Sequence, residues 1–204
     1  PATLRILKEC LERQTIKPRA WVVVDDGVVE SLSVIKDYPS LIYIRRDKLG
    51  TGHTLKENML TALRSHVGSN NIIMEDDDWY APDYIESALS GLKQNKLIGI
   101  RPYAYYSLAS KSYLVRPTEK SMSVWANTAF RGEIAPEIIS IIEQTKDHSL
   151  DVNVWNALGN KYGYIVEKDH ILHVGIKNAP GRPGTTGMHN RETLGTSDPE
   201  YTYL

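Results

Sequence analysis

The chain has 204 residues, 24% of them charged, and a formal net charge of −1. That is length for one sizeable α/β domain rather than two, and a charge balance that gives unaided nucleic-acid binding little support. The single cysteine, Cys10, excludes an intrachain disulfide and a cysteine-based zinc site, and no apolar run approaches membrane-spanning length, so a cytoplasmic protein without a membrane span is expected.

Leu4, Ile6, Leu7, Cys10 and Leu11 recur at helical spacing and predict an amphipathic helix over 3–14. Trp21 to Val24 is a continuous apolar run ending in Asp25-Asp26-Gly27, the pattern of a buried parallel strand that opens into a turn. Leu41 to Ile44 predicts a second strand, and Leu55, Met59, Ala62 and Leu63 a helix over 52–66. A third strand is expected over 71–75 and a helix from Pro82 to Lys93. This alternation argues for an α/β fold with a doubly wound, mostly parallel sheet, which binds ligands beyond the carboxyl ends of its strands. After residue 96 the stretches 97–100, 103–106, 111–115 and 121–126 read as closely spaced strands, a small antiparallel addition. Helices are predicted over 133–145 and 150–158, and short strands over 164–166 and 171–174. From Gly175 the chain is rich in Gly and Pro with scattered basic residues. No repeat or linker is visible, so residues 1–204 read as one domain.

The apolar run Ile72-Ile73-Met74 ends in Glu75-Asp76-Asp77-Asp78, followed by Trp79-Tyr80 and Pro82. Side chains alternate along a strand, so at least two of these four carboxylates share a face and repel. Buried carboxylates without a partner are costly and tend to become neutral. A hard divalent cation, Mn²⁺ or Mg²⁺, removes that cost. The alternative is a solvated acidic turn at the next helix N-terminus, a role that needs one acid or two. Asp25 and Asp26, at another strand end, should converge on the same crevice, although Asp-Asp-Gly also suits a plain turn.

The acid stretch resembles the DxD motif of family-2 glycosyltransferases with the Rossmann-like GT-A fold. Counting back from Pro82 places that motif's metal ligand at Asp77, with the extra acid Asp78 as a further candidate. Glu75 and Asp76 then fall where the family contacts the ribose and metal-bound waters. Gln14-Thr15 and Val24-Asp25-Asp26-Gly27 fill the family pattern of a helix followed by a strand, in which an aspartate contacts the nucleotide base. The segment from Thr51 to Leu63 is similar to one carrying Ala-Arg-Asn; Asn58 matches and Glu57 stands in place of the arginine. Asn127 to Arg131 resembles an acceptor-side loop followed by Ala-Phe-Arg. Leu150-Asp151 through Trp155 resembles a Glu-Asp motif followed by an aromatic, with Leu150 replacing the glutamate. The family's first strand, which precedes the 3–14 helix, is missing from the sequence shown; the expectation is that it lies upstream of Pro1 and that the sheet has not lost it.

The resemblance implies a metal-dependent enzyme that moves a sugar from a UDP- or GDP-linked donor to an acceptor hydroxyl, with inversion and Asp151 as general base. Asp151 is also well placed simply to cap a helix. Residues 1–96 would hold the nucleotide sugar, 97–174 would face the acceptor, and 175–204 would form a lid or tail. In that last segment Lys177 and Arg182 would neutralise phosphates. His173 is the best match to a C-terminal histidine on the metal in many enzymes of this fold, and equally reads as a satisfied core histidine; His170 and His189 are weaker. Trp79, Tyr80, Trp125 and Trp155 are candidates to stack a sugar or base and are more simply core. The acceptor stays open among a glycan, a lipid-linked sugar, a protein, a small molecule and a modified nucleobase of viral DNA. Two readings compete: a nucleotidyltransferase on a related sheet, which would show a Gly-rich basic loop near its first strand, and a catalytically silent nucleotide-sugar-binding module.

Overall fold

A computed structural model describes residues 2–47, 54–116, 122–146, 149–178, 195–198 and 200. Helix α1 (Ala2–Arg13) turns Leu4, Leu7, Cys10 and Leu11 inward. Strand β1 (Trp21–Asp25) runs parallel to β2 (Leu41–Arg45), with Trp21 opposite Leu41 and Asp25 opposite Arg45. Between them lies a short helix α2 (Leu32–Ile35). Four residues are too few to show a helical period, so this helix has no counterpart among the expected elements.

After α3 (Thr54–Ser65), strand β3 (Asn70–Ile72) pairs antiparallel with β8 (Thr128–Arg131). Strand β8 is also antiparallel to β5 (Leu97–Arg101), which is parallel to β9 (Gly163–Glu167). Strands β3, β5 and β9 therefore share one direction, and β8 runs against them. Successive residues of this sheet face opposite layers, as the pleat requires. Ile98, Ile100 and Ala129 join the core under α1 and α4 (Tyr84–Leu92). Leu97 and Phe130 join a second core under α3, α5 (Ala135–Gln144) and α6 (Leu150–Tyr162). Helices on both faces make the fold doubly wound, as the alternation predicts.

The antiparallel addition is a separate sheet. Strand β6 (Tyr103–Ser107) forms a hairpin with β7 (Ser112–Arg116), and β11 (Thr196–Ser197) flanks β7. On the other side β10 (His173–Lys177) runs parallel to β6 and antiparallel to β4 (Trp79–Tyr80). The strand expected over 121–126 does not form among its described residues, 122–126. Residues Trp125–Asn127 make one 3₁₀ turn, closed by hydrogen bonds to the Val124 carbonyl from Asn127 N (3.0 Å) and Thr128 Oγ1 (2.9 Å).

Among the described residues β1 and β2 pair only with each other. A cleft of about 640 Å³, lined by Val22 to Asp25 on one side and Ile73 to Asp77 on the other, separates β1 from the end of β3. Gln14 fastens the end of α1 beside it. Its Nε2 donates to the Ala81 carbonyl (2.7 Å) and the Cys10 carbonyl (3.2 Å), and its Oε1 accepts from Ile85 N (2.9 Å). Thr15 N adds a bond to the Pro82 carbonyl at 2.8 Å. The Gln14-Thr15 pair thus fixes the segment that follows the four acids. Among the described residues no helix is long and apolar enough to cross a membrane.

Candidate active site

The chain leaves β3 through Ile73, whose N–H donates to the Thr128 carbonyl at 3.1 Å, and turns across the acids. Asp78 N donates to the Glu75 carbonyl (3.4 Å), and Glu75 N donates to the hydroxyl of the fully buried Tyr80 (2.7 Å). This turn sends Asp76 and Asp77 to the large cleft and Asp78 to a smaller cavity of about 180 Å³; Glu75 lines both. Carboxylate oxygens of Glu75, Asp77 and Asp78 lie within 4.8 Å of one another. Asp77 and Asp78 fall together, and Glu75, expected with Asp76 at the ribose and metal-bound waters, joins them. Asp76 stands apart, its Oδ2 accepting from Thr3 Oγ1 at 2.8 Å.

Asp78 is 1% exposed and ties the turn to β10. Its Oδ2 lies 2.7 Å from His173 Nε2, its Oδ1 accepts from Ile176 N at 3.0 Å, and Lys177 Nζ is 3.7 Å away. Burial alone would raise this carboxyl; the attraction of His173 and Lys177 and the Ile176 N–H outweigh it and hold the group below the ordinary aspartate value. His173 is therefore brought to Asp78 and not into the Glu75–Asp77–Asp78 group. Its ring packs against Tyr80 and Tyr103, with centroids 5.0 and 6.1 Å away. Lys177, expected on a phosphate-facing surface, is buried with its ammonium 5.4 Å from the Tyr105 ring centre. Gly175 permits that arrangement, since a Cβ there would stand 2.7 Å from Tyr105 Cδ1.

Glu75 has no such support. Loss of water, then the charges of Asp78, Asp77 and Asp151, push its carboxyl up to about 8 against the pull of Lys177. Asp151 lies across the small cavity, in the first turn of α6. Its Oδ1 accepts from Val152 N at 2.8 Å, and the backbone N–H of Trp125 also bonds the carboxyl. Burial outweighs these bonds and raises Asp151 above the ordinary value, toward that of a better base.

In the large cleft the two acids of β1 differ. Asp25 is buried and accepts from Gly27 N (2.9 Å) and Ser31 N (2.7 Å) and from the Tyr43 hydroxyl, with Arg45 Nη1 at 3.0 Å. Burial would raise it, but the Tyr43 hydroxyl and the two backbone N–H groups outweigh burial and lower it. Asp26 keeps a buried Oδ2 with no hydrogen-bond partner among the described residues; Arg46 Nη1 is 3.9 Å away and donates to Asn58 Oδ1 at 2.7 Å.

The sequence model described as "Glycosyl transferase family 2" matches residues 1–167. The chain belongs to glycosyl transferase family 2. No curated protein matches it significantly by sequence. Among solved structures it is similar to S. aureus TarS 1–349 in complex with UDP, at 15% identity and a TM-score of 0.63, over 85% of this chain and 56% of that one. It is similar to the same protein with UDP-GlcNAc, at 14% identity and a TM-score of 0.60, over 92% and 56%. A third is the mannosyltransferase PcManGT from Pyrobaculum calidifontis with GDP-Man and Mn²⁺, at 15% identity and a TM-score of 0.60, over 89% and 54%. The chain thus spans little more than half the length of these relatives, and the likeness establishes the GT-A glycosyltransferase fold.

Within this glycosyltransferase fold several site residues carried no sequence signal. Tyr43, Arg46 and Tyr105 reach the acids from strands and turns distant in sequence. Trp125, expected either to stack a sugar or base or simply to pack in the core, lines both cavities. His170 pairs at the surface with Asp169 (2.6 Å) and Asp83 (3.2 Å), away from the acid group. Arg182, His189 and nearly all of the expected lid lie outside the described residues.

Proposed function

We propose that this domain transfers a glycosyl group from a UDP- or GDP-linked sugar to an acceptor hydroxyl, with inversion and Asp151 as general base. The observation that carries this reading is the meeting of the 75–78 turn and Asp151 on one small cavity that adjoins the large cleft at Glu75 and Trp125. The nucleotide would lie in the large cleft, with Asp26 toward its base or ribose and Asp76 nearby. The acceptor hydroxyl would reach Asp151 from the small cavity. Asp151 would take the hydroxyl proton as the oxygen attacks the anomeric carbon and the nucleoside diphosphate leaves.

The carboxyl groups fit a hard divalent cation such as Mn²⁺ or Mg²⁺. They are all oxygen donors, and Glu75 is kept from ionising by burial and then by neighbouring carboxylates, whose charge a cation would offset. Held by Glu75, Asp77 and Asp78, such an ion would supply charge neutralisation for the departing diphosphate. His173 and Lys177 support the reading by holding Asp78 in place. Nucleoside diphosphate release from a panel of UDP- and GDP-linked sugars, with and without Mn²⁺, tests it. Metal-dependent release with one donor supports it; binding of every donor without release leaves the silent module standing. Pyrophosphate release from a nucleoside triphosphate would point to the nucleotidyltransferase.

A further inference from the structure

The large cleft and the small cavity share two lining residues, Glu75 and Trp125. Trp125 opens the 3₁₀ turn Trp125–Asn127 and is 3% exposed. Its backbone N–H is bonded to Asp151. Its indole Nε1–H is buried and has no hydrogen-bond partner among the described residues. Trp155 offers a control within the same core: it is equally buried, at 3%, and its Nε1 donates to Thr128 Oγ1 at 3.1 Å. Buried indole N–H groups ordinarily find an acceptor, and leaving one unpaired is costly. The wall between the two compartments therefore holds a donor in reserve.

We propose that Trp125 reads the donor sugar, its indole N–H donating to a hydroxyl oxygen of the glycosyl group while its ring separates the nucleotide compartment from the acceptor compartment. The inference rests on the glycosyl-transfer reading above. The glycosyl group is the one part of the two substrates that must touch both compartments. It is joined to the diphosphate on the side of Asp77 and attacked from the side of Asp151. An indole N–H can only donate, so it selects a group with lone pairs, and a sugar hydroxyl presents them. Specificity follows: a buried donor built for a hydroxyl is left unpaired by a sugar that lacks it.

Trp125→Phe keeps an aromatic ring and removes the N–H. Calorimetry with Mn²⁺ would compare UDP with UDP-GlcNAc and GDP with GDP-mannose on both forms of the protein. In the wild type one nucleotide sugar should bind more tightly than its own nucleotide. The variant should keep the nucleotide affinity and lose about tenfold of the sugar's added affinity. An unchanged sugar advantage in Trp125→Phe overturns the proposal. Monodeoxy analogues of the preferred donor, titrated against the wild type, give a test that does not depend on the variant folding. One of them should lose the same factor, and a series in which none does overturns the proposal as well. Failure of the wild type to bind any of the four ligands would instead refute the glycosyl-transfer reading, and this assignment with it.

Discussion

Asp25, at the end of β1, and Glu75, just beyond β3, line the same cleft and treat their charge in opposite ways. Asp25 is surrounded by donors, two backbone N–H groups, a phenol and a guanidinium, and is held below its ordinary value. Glu75 is cut off from water among other acids and pushed up to about 8. In sequence both are acids that follow an apolar run. A carboxylate whose lone pairs are filled by the protein shapes a loop. One with few donors attracts positive charge from outside, and that separates the roles of these two acids.

Four experiments would break or sharpen that contrast. The largest effect belongs to Asp151, which is raised like Glu75. Asp151→Asn should lower turnover by about two to four orders of magnitude while donor affinity holds. A residue that only caps α6 would instead cost about 1 kcal/mol of stability with turnover near normal, so rates and melting curves on Asp151→Asn and Asp151→Ala separate the two. Next is Asp77→Ala, which should weaken Mn²⁺-dependent nucleotide binding by about tenfold or more in calorimetry. Equal affinity with and without the Asp77 carboxylate would remove it from the ligand set.

The third concerns pH in metal-free buffer. Between the ordinary value of 4.5 and about 8, Glu75 is ionised in the unfolded chain and protonated in the folded one. The folded state then binds the extra proton, so stability should fall as pH rises through that window and level off above it. Glu75→Gln should flatten this part of the melting profile; parallel profiles for the two proteins would contradict the raised value. The smallest effects are at β1. Asp25→Asn should cost about 1–3 kcal/mol of stability and leave nucleotide affinity nearly unchanged. Asp26→Asn should do the reverse, with affinity falling by about threefold to tenfold. If both variants behave alike in calorimetry, the two acids are not divided as described.

Much of this was readable from the chain because it rests on local repetition. The spacing of Leu4, Leu7, Cys10 and Leu11 and the run Trp21 to Val24 carry their own periods, and their elements appear within a residue or so of expectation. The acid turn was legible as a site since four adjacent carboxylates need an explanation. Its register was not. Which acid turns to which cavity depends on Tyr80 beneath the turn and on His173, 95 residues away from Asp78. The burial of Lys177 was hidden for the same reason, since it follows from the pairing of β10 with β6. The turn at Trp125 failed the strand expectation because its shape is set by side-chain and backbone bonds to a single carbonyl, which leave no periodic trace.

Gln14 has one more consequence. Its amide donates twice and accepts once, all within a buried pocket. Glutamate in its place would forfeit both donations and strand a charge; asparagine would fall a methylene short. Position 14 should therefore tolerate few substitutions, although no substrate contact is assigned to it in the proposed reaction. A survey of natural variants would rank it beside Asp77, and a reader of that survey would take carpentry for chemistry.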